Sequence, residues 1–127
     1  MRQRNFRVWD GQQMHYTDEF TTKELAFGNT TPVMNAWSQG GEHLYNITVL
    51  DIMDQLDFLD KNGDVIYEGD VVSGFNGESK GQIVWSAEDA AFIYKSFDGG
   101  GALLNEIYIL NFEVIGNIHK NPELCTT

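Results

Sequence analysis

Short apolar runs separated by glycine-containing turns recur through the second half of the chain. The runs Val71–Phe75, Gly81–Trp85 and Phe92–Phe97 are rich in β-branched and aromatic residues, a composition typical of strands. Asn76-Gly77 predicts a tight turn after the first run, and the glycine-rich stretch 98–101 predicts a break after the third. The same features predict further strands at Leu44–Leu50, Leu103-Leu104, Ile107–Leu110 and Phe112–His119. Repeated short strands favour a small closed or half-closed β-barrel.

The first forty or so residues carry a weaker pattern. An alternation over Asn5–Asp10, with Phe6 and Val8 on one face, predicts a short strand. Asp10-Gly11 then predicts a hairpin turn. The remaining predictions for this part are a returning strand at Met14–Tyr16, a turn of helix at Thr22–Phe27 ending at Gly28-Asn29, and an extended segment at Pro32–Trp37.

Two turn signals lie close together in the stretch Asp60–Val72, around which the predicted fold is organised. Asn62-Gly63 is a dipeptide that favours positive φ angles, and Glu68-Gly69-Asp70 turns the chain again before the strand at Val71. We therefore predict a sharp, twice-turned entry into a barrel, with Gly63 and Gly69 at positive φ.

The segment just before this stretch has two interpretations. Aspartates recur at three-residue spacing, at Asp51, Asp54, Asp57 and Asp60. On a helix, the apolar residues between them would form a stripe, whereas the strand period of two is broken. The position of residues 52–59 directly before a tight turn favours a strand.

The charge of the chain argues against nucleic acids as partners. The chain of 127 residues has nineteen acidic and eight basic side chains, a formal net charge of −11. After Arg7 it contains five lysines and no arginine. Nucleic-acid affinity comes largely from Lys and Arg that neutralise phosphates, so direct DNA or RNA binding is not expected. An acidic face that meets a basic protein partner fits this charge better, and a simple solubilising role fits it as well.

The sequence contains few patterns typical of catalytic, metal-binding or cofactor-binding sites. The histidines, His15, His43 and His119, lack ligand spacing, and no nucleophile–His–acid, Walker or dinucleotide motif is present. Asp60–Asp64 starts like a calcium loop, but its glycine is at the fourth position and not the sixth. The lone Cys125 allows no internal disulfide, and no apolar run is long enough to span a membrane. We therefore predict no catalytic, cofactor-binding or metal-binding residues, no cofactor and a cytoplasmic protein.

Three stretches of the chain resemble the YopX family of phage and prophage proteins. They are Asn5–Asp10, Asp60–Val72 and Glu113–Leu124, in the family's order, with Gly81–Trp85 similar to the family's return strand. The resemblance implies a mainly β fold with a Src-homology-3-like barrel at residues 59–127 and a β-rich portion at residues 1–58 packed on it. It also favours a strand at 52–59, and it implies a phage or prophage origin and a place in the bacterial host cytoplasm. It implies no activity, since the family has no known function.

Two hypotheses of function remain. The first is a non-enzymatic binding or assembly module that engages a host or phage protein through an acidic surface, or that associates with itself as a homo-oligomer. The alternative is a divalent-metal-dependent enzyme that uses the Asp51, Asp54, Asp57 and Asp60 cluster. On a strand, side chains alternate between faces, so the four carboxylates could not all converge.

Overall fold

The structure, a computed structural model, describes residues 5–17, 22–26, 32–37, 44–74, 77, 79–104 and 111–125. Within these ranges the chain is mainly β, as predicted. The strands are β1 (Phe6–Trp9), β2 (Met14–Tyr16), β3 (Thr22–Ala26), β4 (Val33–Trp37), β5 (Leu44–Thr48), β6 (Asp51–Leu59), β7 (Val65–Tyr67), β8 (Asp70–Gly74), β9 (Ser79–Ser86), β10 (Ala91–Ser96), β11 (Gly101–Leu103) and β12 (Glu113–Asn117). A 3-10 helix covers Pro122–Leu124. No helix in the described ranges is long and apolar enough to cross a membrane.

The chain divides into two compact units, Met1–Asp54 and Gln55–Thr127. The first unit contains the antiparallel sheet β3-β4-β5 and the pairing of β1 with both β2 and the first part of β6. Side chains that alternate along β4 point into its core, where Met34 and Ala36 are buried with Val8, Ile47 and Val49. The division predicted between residues 58 and 59 stays a prediction.

The helical turn predicted at Thr22–Phe27 is wrong, because Thr22–Ala26 is strand β3. All five residues of β3 pair with β4, from Thr22 opposite Trp37 to Ala26 opposite Val33. A single helical turn is costly to nucleate, whereas β4 satisfies the backbone groups of β3 and Leu25 packs against the core. The predicted helix end at Gly28-Asn29 lies outside the described residues.

Residues 51–59 form one strand, so the interpretation as a strand is confirmed. The first part of β6 pairs with β1, and the later part pairs with β7. The register with β7 shifts between Gln55 and Leu59. Such an irregularity displaces the alternation of inward and outward side chains, which explains why the period of two is broken in the sequence.

The second unit is built on a five-stranded antiparallel sheet in the order β11-β10-β9-β8-β12, curled into a half-barrel. Its core contains the buried residues Leu56, Ile66, Val72, Ile83, Tyr94 and Phe112. The strands predicted around Val71–Phe75, Gly81–Trp85, Phe92–Phe97 and Phe112–His119 correspond to β8, β9, β10 and β12. The predicted strand at Ile107–Leu110 and Asn76 of the predicted turn lie outside the described ranges. The Src-homology-3-like label for residues 59–127 stays a prediction.

The two turns that organise Asp60–Val72 are confirmed. Gly63 has a φ of 83° and Gly69 a φ of 87°, a region that side chains with a Cβ rarely adopt. The Gly69 N–H donates to the carbonyl of Ile83, and its own carbonyl accepts from the Ile118 N–H. This turn therefore connects β9 with the residues that follow β12.

Candidate functional site

The four aspartates of the metal-enzyme hypothesis do not form a metal site. Asp51 and Asp54 lie on β6 opposite Trp9 and Phe6 of β1, and Asp57 is exposed further along the same strand. Adjacent positions on a strand face opposite sides, so these carboxylates do not converge. Among the described residues, no three His, Cys, Asp or Glu side chains are grouped so as to hold a metal ion. The metal-enzyme alternative is therefore not supported.

Asp60, the fourth of these residues, has a structural role. Its side chain is buried, and its Oδ1 accepts hydrogen bonds from the backbone N–H groups of Asn62, at 2.9 Å, and Asp64, at 2.8 Å. Its Oδ2 accepts a third, from the N–H of Val114 at 2.9 Å. The turn-forming role was predictable from the sequence, but the bond to β12 was not, since nothing local identifies a partner so distant in the chain.

Asp10 forms a second organised carboxylate, in the hairpin between β1 and β2. Its Oδ2 is 2.9 Å from His15 Nε2, and its Oδ1 accepts from the N–H groups of Gln12 and Gln13. The hydrogen bond with His15, followed by the backbone bonds from Gln13 and Gln12, lowers the pKa of Asp10 to about 2. The sequence did not predict this pair, although an Asp-Gly turn followed by a histidine on the returning strand is a usable signal. His119 is partly buried elsewhere, and His43 lies outside the described residues.

A cleft of about 650 Å³ lies beside this pair in the first unit. One side consists of the hairpin residues Asp10, Gly11, Gln12 and His15, and the other consists of Leu44–Thr48 of β5. Both oxygens of Asp10 are already hydrogen-bonded within the hairpin, so its carboxylate orients His15 and stabilises the turn.

The tryptophans occupy positions of different exposure. Trp9 and Trp37 are partly buried, whereas Trp85 on β9 keeps 51% of its surface exposed. Its ring meets Phe92 of β10 edge to face, with centroids 5.1 Å apart. Trp85 is therefore not a core anchor. It forms an aromatic pair at the end of the β9–β10 hairpin, and exposed tryptophans are favoured contacts at protein interfaces.

Acidic charge is concentrated in the second unit. It has twelve acidic and four basic residues, a formal charge of −8, whereas the first unit has seven and four, a formal charge of −3. Two of the twelve, Asp60 and Asp70, are buried, and Asp70 accepts from the N–H of Tyr67 at 2.8 Å. The exposed acids described there are Asp57, Asp64, Glu88, Asp89, Asp98 and Glu123. A hydrogen bond from the Ser96 hydroxyl is the main cause that lowers the pKa of Asp98.

The N-terminal basic residues do not offset this charge on the described surface. Arg7 is buried, with 2% of its surface exposed, and its guanidinium lies 6.0 Å from the centroid of the Tyr16 ring. The alternation along β1 predicts Arg7 on one face of the strand and Phe6 and Val8 on the other. In the structure both faces are covered, because Arg7 and Val8 are both buried. Arg2 and Arg4 lie outside the described residues.

The sequence and the fold have known counterparts. The model of the YopX family, described as YopX protein, matches residues 5–126. This chain belongs to the YopX family. The crystal structure of protein YopX from Bacillus subtilis is similar to this chain with a TM-score of 0.62 and 25% identity, over 94% of this chain and 96% of that one. A search of curated proteins found no match.

The YopX match extends over both units and includes Asp10, Asp60 and Trp85. The family resemblance carried by Asn5–Asp10, Asp60–Val72 and Glu113–Leu124 is therefore confirmed. These stretches contain the Asp10 hairpin, the Asp60 turn and β12, which are features of the fold.

Proposed function

We propose that this YopX-family chain is a phage- or prophage-encoded binding or assembly module of the bacterial host cytoplasm. It engages a host or phage protein through the acidic surface of its second unit, or it assembles with a second copy of itself. The observation that carries the proposal is the charge of −8 on that unit, with six exposed acids among its described residues. A surface of one sign steers a partner of the opposite sign and repels phosphate backbones.

A binding role without catalysis fits the way the hydrogen-bonded carboxylates of Asp10, Asp60 and Asp70 are used. Asp60 and Asp70 accept hydrogen bonds from backbone N–H groups, and Asp10 is held by its own hairpin. Carboxylates held in this way stabilise turns. Exposed acids such as Asp64 and Glu88 instead present their charge at the surface, where a basic partner can meet it.

Affinity capture from bacterial host lysate tests the proposal. The wild-type chain is compared with a variant that carries Asp64→Asn, Glu88→Gln and Glu123→Gln, each at an exposed position of the second unit. We expect a defined partner on the wild type, lost from the variant and weakened by salt, because exposed charges are screened. A partner retained equally by both chains at every salt concentration would rule out the acidic surface.

Light scattering after size-exclusion chromatography, over a range of protein concentrations, tests self-association. A stable oligomer would support the assembly role and make a second copy the partner. A monomer at every concentration, combined with no protein captured from lysate, would overturn the proposal.

A further inference from the structure

We propose that the Trp85 end of the β9–β10 hairpin is a binding site for an arginine side chain of a basic protein segment. This inference rests on the proposed function and names the chemistry that the partner presents. Two features of the described surface meet at this end of the hairpin: a half-exposed aromatic pair, and a turn with two exposed carboxylates.

The aromatic pair continues the apolar face of the sheet beyond the core. Ile83 lies opposite Tyr94, and both are buried, while two residues further on Trp85 lies opposite Phe92. These positions share one face of the sheet, because side chains of a strand alternate. Phe92 packs against the core, but Trp85 leaves 51% of its surface in water. Apolar surface of this size at the end of a hairpin favours contact with a partner.

The charge around this pair is negative. Residues 87–90 form the turn between the strands, and Glu88 and Asp89 within it are exposed. Asp89 accepts from the Ser86 hydroxyl at 2.9 Å, so the turn itself is ordered by a local hydrogen bond. The lysines of the hairpin are distant, since Lys95 lies three residues beyond Phe92, opposite Gln82, on the other face of the sheet.

Arginine suits both features at once. Its planar guanidinium stacks on aromatic rings and presents a fork of N–H donors that matches a carboxylate. Lysine carries the same charge as a compact, strongly hydrated ammonium, and it stacks less well. An aromatic partner without charge would use Trp85 and ignore Glu88, whereas a lysine would respond chiefly to the carboxylates. A preference for arginine that requires both Trp85 and Glu88 is therefore the signature of the site.

The experiment uses the full chain and two synthetic peptides of about eleven residues, identical except that all basic positions are arginine in one and lysine in the other. Affinities are measured by titration calorimetry at low and physiological salt. We expect the arginine peptide to bind at least about threefold more tightly than the lysine peptide. Trp85→Ala is expected to weaken the arginine peptide about tenfold and to abolish the preference.

Two further variants separate the site from general charge. Glu88→Gln should weaken binding of the arginine peptide several-fold more than Glu123→Gln, the same change at an exposed position on the 3-10 helix. Trp85→Phe keeps an aromatic face, so it should keep part of the preference even if Trp85→Ala loses stability. Thermal unfolding of each variant verifies that it is folded.

The outcomes distinguish this site from the proposed function. Equal binding of both peptides, weakened alike by Glu88→Gln and Glu123→Gln and unaffected at Trp85, would overturn the arginine site and leave the acidic surface standing. No binding of either peptide at low salt would overturn the arginine site, whereas the proposed function is decided by the capture from lysate and by light scattering. A preference for the arginine peptide that is lost in Trp85→Ala and in Glu88→Gln, but kept in Glu123→Gln, supports the site.

Discussion

The carboxylate of Asp60 accepts a hydrogen bond from the backbone N–H of Val114, 2.9 Å away and 54 residues further along the chain. The same side chain holds the N–H groups of Asn62 and Asp64, so one buried carboxylate joins the turn after β6 to β12. The N–H of Lys61 strengthens the connection by donating to the carbonyl of Phe112. A single residue thus orders both a local turn and the closing strand of the sheet.

Replacement of Asp60 by alanine should strongly destabilise the protein. Three backbone N–H groups would lose their acceptor in a buried setting, so we expect a loss of about 3 kcal/mol in the free energy of unfolding. Urea unfolding measures it. Asp64→Asn is the control, because the Asp64 side chain is exposed and only its backbone takes part in the turn. Equal midpoints for Asp60→Ala and wild type would contradict the role assigned to Asp60.

The positive φ angles of the two central turns predict a clear ranking of substitutions. At Gly63 a Cβ would meet no atom within 4 Å, so only the backbone angle opposes a side chain there. Gly63→Val should cost about 1–2 kcal/mol, and Gly63→Asn much less, since asparagine tolerates this region. Gly69→Val should cost at least as much, because Gly69 is buried as well. Thermal unfolding in which valine and asparagine at Gly63 are equivalent would refute the assignment.

Gly81 on β9 is required for a close contact between strands. A Cβ at this position would overlap the backbone oxygen of Lys95 and approach Cε2 of Tyr94 to 2.7 Å. Because backbone atoms of a paired strand have little room to move, we expect Gly81→Ala to lower the free energy of unfolding by about 2 kcal/mol. Gly100→Ala is the matched control, because its nearest neighbour would be 3.8 Å away. The two variants are compared by urea unfolding, and similar losses would argue against the steric cause.

The Asp10 carboxylate predicts a dependence of stability on pH. Its pKa in the folded protein, about 2, is below the ordinary value of 3.8, so the folded state favours the charged form. The resulting stabilisation is fully present above about pH 4 and is lost as the pH falls towards about 2. Because the side chain is 24% exposed, solvent screens part of this effect. We therefore expect the ionised carboxylate to add about 1–2 kcal/mol to the free energy of unfolding.

Unfolding of wild type and Asp10→Asn at about pH 5.5 and about pH 2.5 measures this contribution. The difference between the two proteins should be large at the higher pH and should shrink at the lower one, where Asp10 is protonated in the unfolded state and begins to be protonated in the folded state. His15→Leu, which removes the main hydrogen-bond partner, should reduce the difference at the higher pH. A difference that does not change with pH would contradict the lowered pKa.

Local signals explain which parts of the fold are predictable. Gly63 and Gly69 are found because positive φ angles have a residue signature, and β9 and β10 because their composition is typical of strands. The helix prediction fails at Thr22–Ala26 because this segment forms a strand by pairing with β4. The local residues do not reveal that pairing. The burial of Arg7 has the same origin, since alternation alone predicts one covered face and both are covered.

The candidate site is less predictable than the fold. Net charge indicates an acidic surface, but its concentration in one unit depends on where the chain divides. The sequence alone is compatible with Trp85 as an anchor of the core or as an anchor of an interface, and only its exposure in the structure separates the two. The contact between Asp10 and His15 depends on the hairpin register, in which Val8 lies opposite His15.

The two units divide inside β6, between Asp54 and Gln55, and not in a linker. A fragment that begins or ends at this point would divide this strand, whose first part pairs with β1 in the first unit and whose later part pairs with β7 in the second. Insertions that add new segments are expected in its turns and not at the boundary between its units.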